Sequence, residues 1–109
     1  MANIIEISDS EFKSTIAKGL TIIDFWATWC GPCRSQSIVF DSMKGDPDFE
    51  NLTVGKINIE ENSEYVELMG IVSIPTMLIC KDGEILKKIV GTATKEELKN
   101  ILDKYSSAG

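Results

Sequence analysis

Short apolar runs alternate along this chain with segments whose apolar residues recur every three or four positions. "IIEI" (Ile4–Ile7) predicts a first strand. Ser8 and Glu11 follow at the spacing of a capping box, so a helix is expected there. It should end near Gly19, a residue suited to the left-handed conformation that terminates helices. "TIIDFWA" (Thr21–Ala27) is nearly all apolar and predicts a strand buried on both faces. A cysteine-containing loop comes next, and "CRSQSIVFDSM" reads as a helix that "GDPD" (Gly45–Asp48) breaks. "LTVGKINIE" (Leu52–Glu60) is a third strand, and "NSEYVELMG" a short helix ending at Gly70. "IVSIPT" reads as a loop, and "TMLICK" and "EILKKIV" as two strands joined by the hairpin signal "KDGE". Thr94 and Glu97 form a second capping box, followed by an apolar stripe of Leu98, Ile101, Leu102 and Tyr105 at helical spacing.

The predicted order is β-α-β-α-β-α-β-β-α, an α/β fold. Alternating strands and helices imply a central five-stranded sheet flanked by four helices on its two faces. The closing β-β hairpin must be antiparallel, so the sheet is expected to be mixed. No repeat or low-complexity linker interrupts the chain, and residues 1–109 are expected to form one domain. The composition, 43% apolar and 26% charged, suffices for one packed core. A formal charge of −6 argues against nonspecific nucleic-acid binding, which needs a basic face. No apolar run approaches the ~20 residues of a membrane span. "MANIIEISDSEF" has no basic start and no long apolar core, so no signal peptide is expected and the protein is placed in a reducing cytoplasm.

The chemistry concentrates in "FWATWCGPCR" (Phe25–Arg34), which holds both tryptophans and two of the three cysteines. In a reducing compartment such a pair is more often catalytic or metal-binding than structural. Structural zinc wants four Cys or His ligands. This chain has no histidine, and its third cysteine, Cys80, lies inside an apolar strand, so no metal is expected. A disulfide across two intervening residues closes almost no loop and adds little stability. A redox pair fits better. Residues i and i+3 on the first turn of a helix lie close enough for a disulfide after small adjustment. Cys30 would sit at the helix N-terminus, where free N–H groups and the macrodipole favour a thiolate. Cys33, one turn inside, should be less exposed. Cys30 would attack a substrate disulfide, and Cys33 would displace the substrate from the mixed disulfide. Gly31 would permit the tight turn and Pro32 suits the first helical turn. Neither is charged, which tilts the pair towards reduction.

"DFWATWCGPC" resembles the active-site segment of the thioredoxin family, and the likeness runs nearly end to end. It takes in Asp24, "GKINIEEN" (Gly55–Asn62), "GIVSIPT" (Gly70–Thr76), the "KDGE" turn and Gly91. The resemblance implies a thioredoxin-like fold and a protein-disulfide reductase that contributes to redox homeostasis. No cofactor would be bound; electrons would come from NADPH through a flavoprotein thioredoxin reductase. Substrates would be disulfide-containing proteins, and the chain is expected to act as a monomer. Asp24 is the only charged residue of its strand, and desolvation should raise its pKa. By resemblance it is the general base or proton relay for Cys33, acting through water; the plainer alternative is a carboxylate at an exposed strand end. Lys56 matches the family lysine that approaches that aspartate. It also alternates with Ile57 like a residue on a half-solvated strand, and both readings stand. Pro75 resembles the family's cis-proline, which would turn the backbone of Ile74 towards an incoming peptide. Trp29 is implied as an exposed substrate contact beside Cys30, with Trp26 and Phe25 in the core. Gly91 resembles the glycine that leaves the docking surface flat, and a strand-to-helix turn would use it equally.

The chain departs from the family pattern in places. Ile38 stands where a proline usually kinks the long helix. Ser35 and Ser37 are more polar than usual, which bears on partner choice. Cys80 replaces a common aromatic and reads as an inert packing residue. Two other functions fit parts of the pattern: a thiol oxidase or isomerase, and a binding subunit with incidental thiol chemistry.

Overall fold

The computed structural model describes residues 2–106. β1 (Asn3–Glu6) leads into a 3₁₀ turn, Asp9–Glu11, and then a short helix α1 (Phe12–Ile16). The Glu11 carboxylate accepts the Ser8 backbone N–H at 2.9 Å, as a capping box requires. The element is less regular than the single helix the sequence predicts. The Ser14 and Thr15 hydroxyls both donate to the Glu11 carbonyl, at 3.0 and 2.7 Å. Such local bonds compete with the helical ladder, and the α-helical part stops at Ile16, before Gly19.

β2 (Leu20–Trp26), α2 (Gly31–Met43), a 3₁₀ turn at Pro47–Phe49 and β3 (Thr53–Asn58) follow. β3 is shorter than Leu52–Glu60. The Asn58 side chain accepts the Glu60 N–H at 2.8 Å and turns the backbone away from the sheet. α3 (Glu64–Leu68), the hairpin β4 (Thr76–Lys81) and β5 (Glu84–Val90), and α4 (Lys95–Ser106) complete the order. Asp82 (φ 51°) and Gly83 (φ 90°) supply the two left-handed residues of the hairpin turn. At α4, the Thr94 N–H donates to Glu97 at 2.9 Å and the Glu97 N–H to the Thr94 hydroxyl at 3.1 Å. The predicted second capping box therefore forms in full.

The five strands lie in the order β1-β3-β2-β4-β5. β1, β3 and β2 are parallel; β4 is antiparallel to β2, and β5 to β4. This mixed sheet has the element order expected from the sequence. The alternation of β2 divides the core. Ile22 packs with Phe40 and Met43 of α2 and Leu98 and Leu102 of α4. Ile23 and Phe25 pack on the other face with Phe12 and Ile16 of α1 and Tyr65 of α3. Each fully buried side chain contributes about 1.5–3 kcal/mol. A one-residue slip of β2 would exchange the two sets, so the burial fixes the register. Ile101 and Tyr105 pack at the margin of the first cluster, which accounts for the α4 stripe. Among the described residues no helix is long and apolar enough to cross a membrane.

Candidate active site

β2 is the central strand, and the chain leaves its C-terminal end into the cysteine loop. The loop is held from two sides. The Glu60 carboxylate accepts the Thr28 N–H at 2.7 Å and the Thr28 hydroxyl at 2.8 Å. These bonds hold the Glu60 carboxyl below its ordinary pKa. The Arg34 guanidinium donates to the Thr28 carbonyl at 3.2 Å. Sequence reasoning did not single out Glu60, which meets the loop it holds only in the fold, across 32 residues.

Cys30 is the N-cap of α2, with extended backbone, and its Sγ accepts the Cys33 N–H at 3.2 Å. Pro32 occupies the first turn, where its missing N–H costs nothing. Cys30 and Cys33 are joined in a disulfide with Cα atoms 5.2 Å apart. Both are nearly covered: Cys30 is 5% exposed and Cys33 3%, so the expected contrast between them is slight in this oxidised state. Gly31 does not take a left-handed backbone, and a Cβ there would meet nothing within 4 Å. The turn therefore does not demand glycine, contrary to the sequence expectation. Helix geometry starting at residue 31 suffices.

Around the disulfide stand Ala27, Trp26, Ile59 and Ile74. The Ile74–Pro75 bond is cis, and the Ile74 carbonyl oxygen lies 3.8 Å from Cys30 Sγ. The buried Pro75 accepts the Gly91 N–H on its carbonyl at 2.9 Å. Gly91 has φ +95° and open space where a Cβ would stand. It is thus both a left-handed turn residue and a bare spot on the surface. Trp29 is 68% exposed and Val72 is 96% exposed. With Ile59, Val66, Ile71, Ser73 and Ile74 they line an apolar groove of about 320 Å³ beside Cys30. Trp26 is half-buried rather than core, because one side of its ring faces the Lys56 ammonium, 5.1 Å from the ring centroid.

Asp24 is fully buried, and neither oxygen of its carboxyl has a hydrogen-bond partner among the described residues. Burial pushes its pKa up to about 7; Lys56 pulls the other way and Glu6 adds to the rise. These three charges stand in one row across the sheet, Glu6 opposite Lys56 and Lys56 opposite Asp24. Lys56 is half-buried and donates to the Ser37 hydroxyl at 2.9 Å. It also shares a cavity of about 90 Å³ with Cys33, Ser37, Thr28 and Arg34. Lys56 thus lies in register with Asp24 while its ammonium bonds to Ser37. α2 runs unbroken through Ile38, which is 70% exposed. Cys80 is fully buried, and desolvation pushes its thiol up to about 12, as expected for an inert packing residue.

The structure thus gathers Cys30, Cys33, Ile74, Pro75 and Gly91 into one surface, with Trp29 beside it and Lys56 behind it. Asp24 lies deeper, in register with Lys56. Gln36 went unnoticed in the sequence, although it interrupts the apolar stripe of Cys33, Phe40 and Met43. It is fully buried and hydrogen-bonded to Ala93.

Residues 3–104 match the family model described as Thioredoxin. A thioredoxin of Listeria monocytogenes is 43% identical over 100 residues, covering 92% of this chain and 96% of its own. One from Staphylococcus epidermidis is 40% identical over 102 residues, covering 94% and 97%. Among solved structures, the thioredoxin of Malassezia sympodialis superposes with a TM-score of 0.81 at 29% identity, covering 98% of this chain and 94% of its own. A mutant thioredoxin of Halobacterium salinarum superposes with a TM-score of 0.87 at 24% identity over the same shares, a likeness of fold.

Proposed function

Because the chain belongs to the thioredoxin family, we propose that Cys30 is the attacking sulfur and Cys33 the resolving one in its reduction of protein disulfides. The protein is a dithiol–disulfide oxidoreductase whose redox group is its own cysteine pair. It acts on disulfide substrates and is recharged by a reductase partner. The observation that carries the assignment of roles is Cys30 Sγ at the N-cap of α2, accepting the Cys33 N–H.

In the reduced protein that position favours the Cys30 thiolate, through the N–H and the helix dipole. The thiolate attacks one sulfur of the substrate disulfide. A bond forms between Cys30 and that sulfur, and the other leaves as a thiolate. The Cys33 thiol then gives up its proton through a bridging water to the Asp24 carboxylate and attacks Cys30 Sγ. The mixed disulfide breaks, the second substrate sulfur leaves, and Cys30–Cys33 closes. Two electrons have moved from the cysteine pair to the substrate. A base with a pKa of about 7 suits this transfer, since it can take and release a proton near neutrality.

The substrate backbone lies as an extended strand against Ile74, with its apolar side chains in the groove between Trp29 and Val72. Gly91 leaves room beside Pro75. NADPH supplies the electrons through a thioredoxin reductase, and the protein works as a cytoplasmic monomer.

Three proteins test the assignment in reduction of a protein disulfide. Wild type turns over, Cys30→Ser is inactive, and Cys33→Ser accumulates a mixed disulfide. Full turnover by Cys30→Ser refutes it.

A further inference from the structure

The stripe that α2 presents to the core is Cys33, Gln36, Phe40 and Met43. An amide in such a stripe must find partners or lose stability. Gln36 is 0% exposed, and both ends of its amide are occupied by one residue. Its Nε2 donates to the Ala93 carbonyl at 3.1 Å, and its Oε1 accepts the Ala93 N–H at 2.8 Å. The side chain thus pairs with the backbone of Ala93 as a neighbouring strand would. Ala93 is itself buried and lies two residues beyond Gly91, whose N–H is held by the Pro75 carbonyl. The segment Gly91–Thr94 is otherwise outside any strand or helix, between β5 and α4. The capping box anchors its Thr94 end to α4; ahead of that it is fastened to the Pro75 loop at Gly91 and to the redox helix, three residues after Cys33, at Ala93.

We propose that Gln36 is a positioning residue for protein substrates: by pairing both backbone groups of Ala93 it ties the redox helix to the Gly91–Thr94 segment and holds that rim of the docking surface preformed. The inference rests on the reading that protein substrates dock across Ile74, Pro75 and Gly91. Preformation matters because a loop that must be ordered on binding weakens affinity in proportion to the fraction of time it is competent. An apolar side chain at position 36 would leave the Ala93 N–H and carbonyl facing the core without partners. The segment would then turn them outward to water, away from its docking conformation. A small disulfide reaches Cys30 without touching this rim and is indifferent to the change.

The test is single-turnover oxidation of the pre-reduced protein by insulin, over a concentration series, and by bis(2-hydroxyethyl) disulfide. Gln36→Met should raise the half-saturating insulin concentration about tenfold, with an unchanged limiting rate. The rate with the small disulfide should stay within about twofold, and hydrogen exchange at the Ala93 amide should accelerate. Gln36→Asn keeps both amide groups on a side chain one methylene shorter, so it should fall between; it also stands in if Gln36→Met does not fold. Equal losses on both disulfides, or an unchanged half-saturating concentration with faster exchange, overturns the proposal. Val72→Glu separates the two levels. If that charge in the groove leaves insulin saturation unmoved, substrates dock elsewhere, and the docking reading falls together with the inference.

Discussion

Replacing Asp24 by Asn removes a buried titrating group while keeping its volume, and the consequence for stability has a definite sign. The folded protein holds this carboxyl at about 7 instead of 3.8, chiefly because burial disfavours the charged form. The folded pKa lies above the unfolded one, so between these values the folded state binds the proton and the unfolded chain does not. The Asp24 contribution to stability is therefore greatest at low pH, falls as pH rises from about 4 to about 7, and is a constant penalty above that. A shift of about three units corresponds to about 4 kcal/mol once Asp24 is fully ionised. Between about pH 5 and about pH 8 the part still to be lost is about 2.5 kcal/mol. Urea denaturation of wild type and Asp24→Asn, both oxidised, measures it, since the Cys30–Cys33 disulfide has no thiol to titrate. Carboxylates outside the Glu6–Lys56–Asp24 row titrate alike in the two proteins and cancel in the difference. So does the packing cost of the amide, which does not depend on pH. Wild type should lose about 2.5 kcal/mol relative to Asp24→Asn across that interval. Two pH profiles that stay parallel to within about 0.5 kcal/mol would show that Asp24 is ionised in the folded protein throughout, and the reasoning would fail.

The neighbours in the same row should move that transition in opposite directions. Lys56→Met removes the charge that lowers the Asp24 pKa, and Glu6→Gln removes one that raises it. The midpoint of the Asp24-dependent loss should therefore rise in the first and fall in the second; coincident midpoints in the same denaturation series would refute the row as an electrostatic unit. Cys80, fully buried with its thiol near 12, should resist iodoacetamide at pH 8 for as long as the protein is folded. Mass spectrometry of the reduced, native protein should find alkylation confined to the Cys30–Cys33 pair, and rapid labelling of Cys80 would contradict its burial.

Much of the fold was legible because its signals are local. Both capping boxes, at Ser8–Glu11 and Thr94–Glu97, join residues three apart in sequence. The Asp82–Gly83 turn is written in the two residues that adopt it. The redox pair was equally open to reading, since Cys30 and Cys33 are one helical turn apart and Pro32 marks where that turn begins. Even the misjudged boundaries have local causes, in the hydroxyls of α1 and the Asn58 turn.

The chain by itself determined the elements, their order and the identity of the reactive sulfurs. Only the tertiary structure decided what surrounds them. The row of Glu6, Lys56 and Asp24 spans three strands far apart in sequence. The Ile74 carbonyl reaches Cys30 across 44 residues, and Gln36 reaches Ala93 across 57. Sequence periodicity states which side chains share a face but not which distant segment covers that face. A turn or a cap is settled by the torsions of adjacent residues, whereas a buried carboxyl's pKa and a loop's fastening are settled by whatever the rest of the core packs against them.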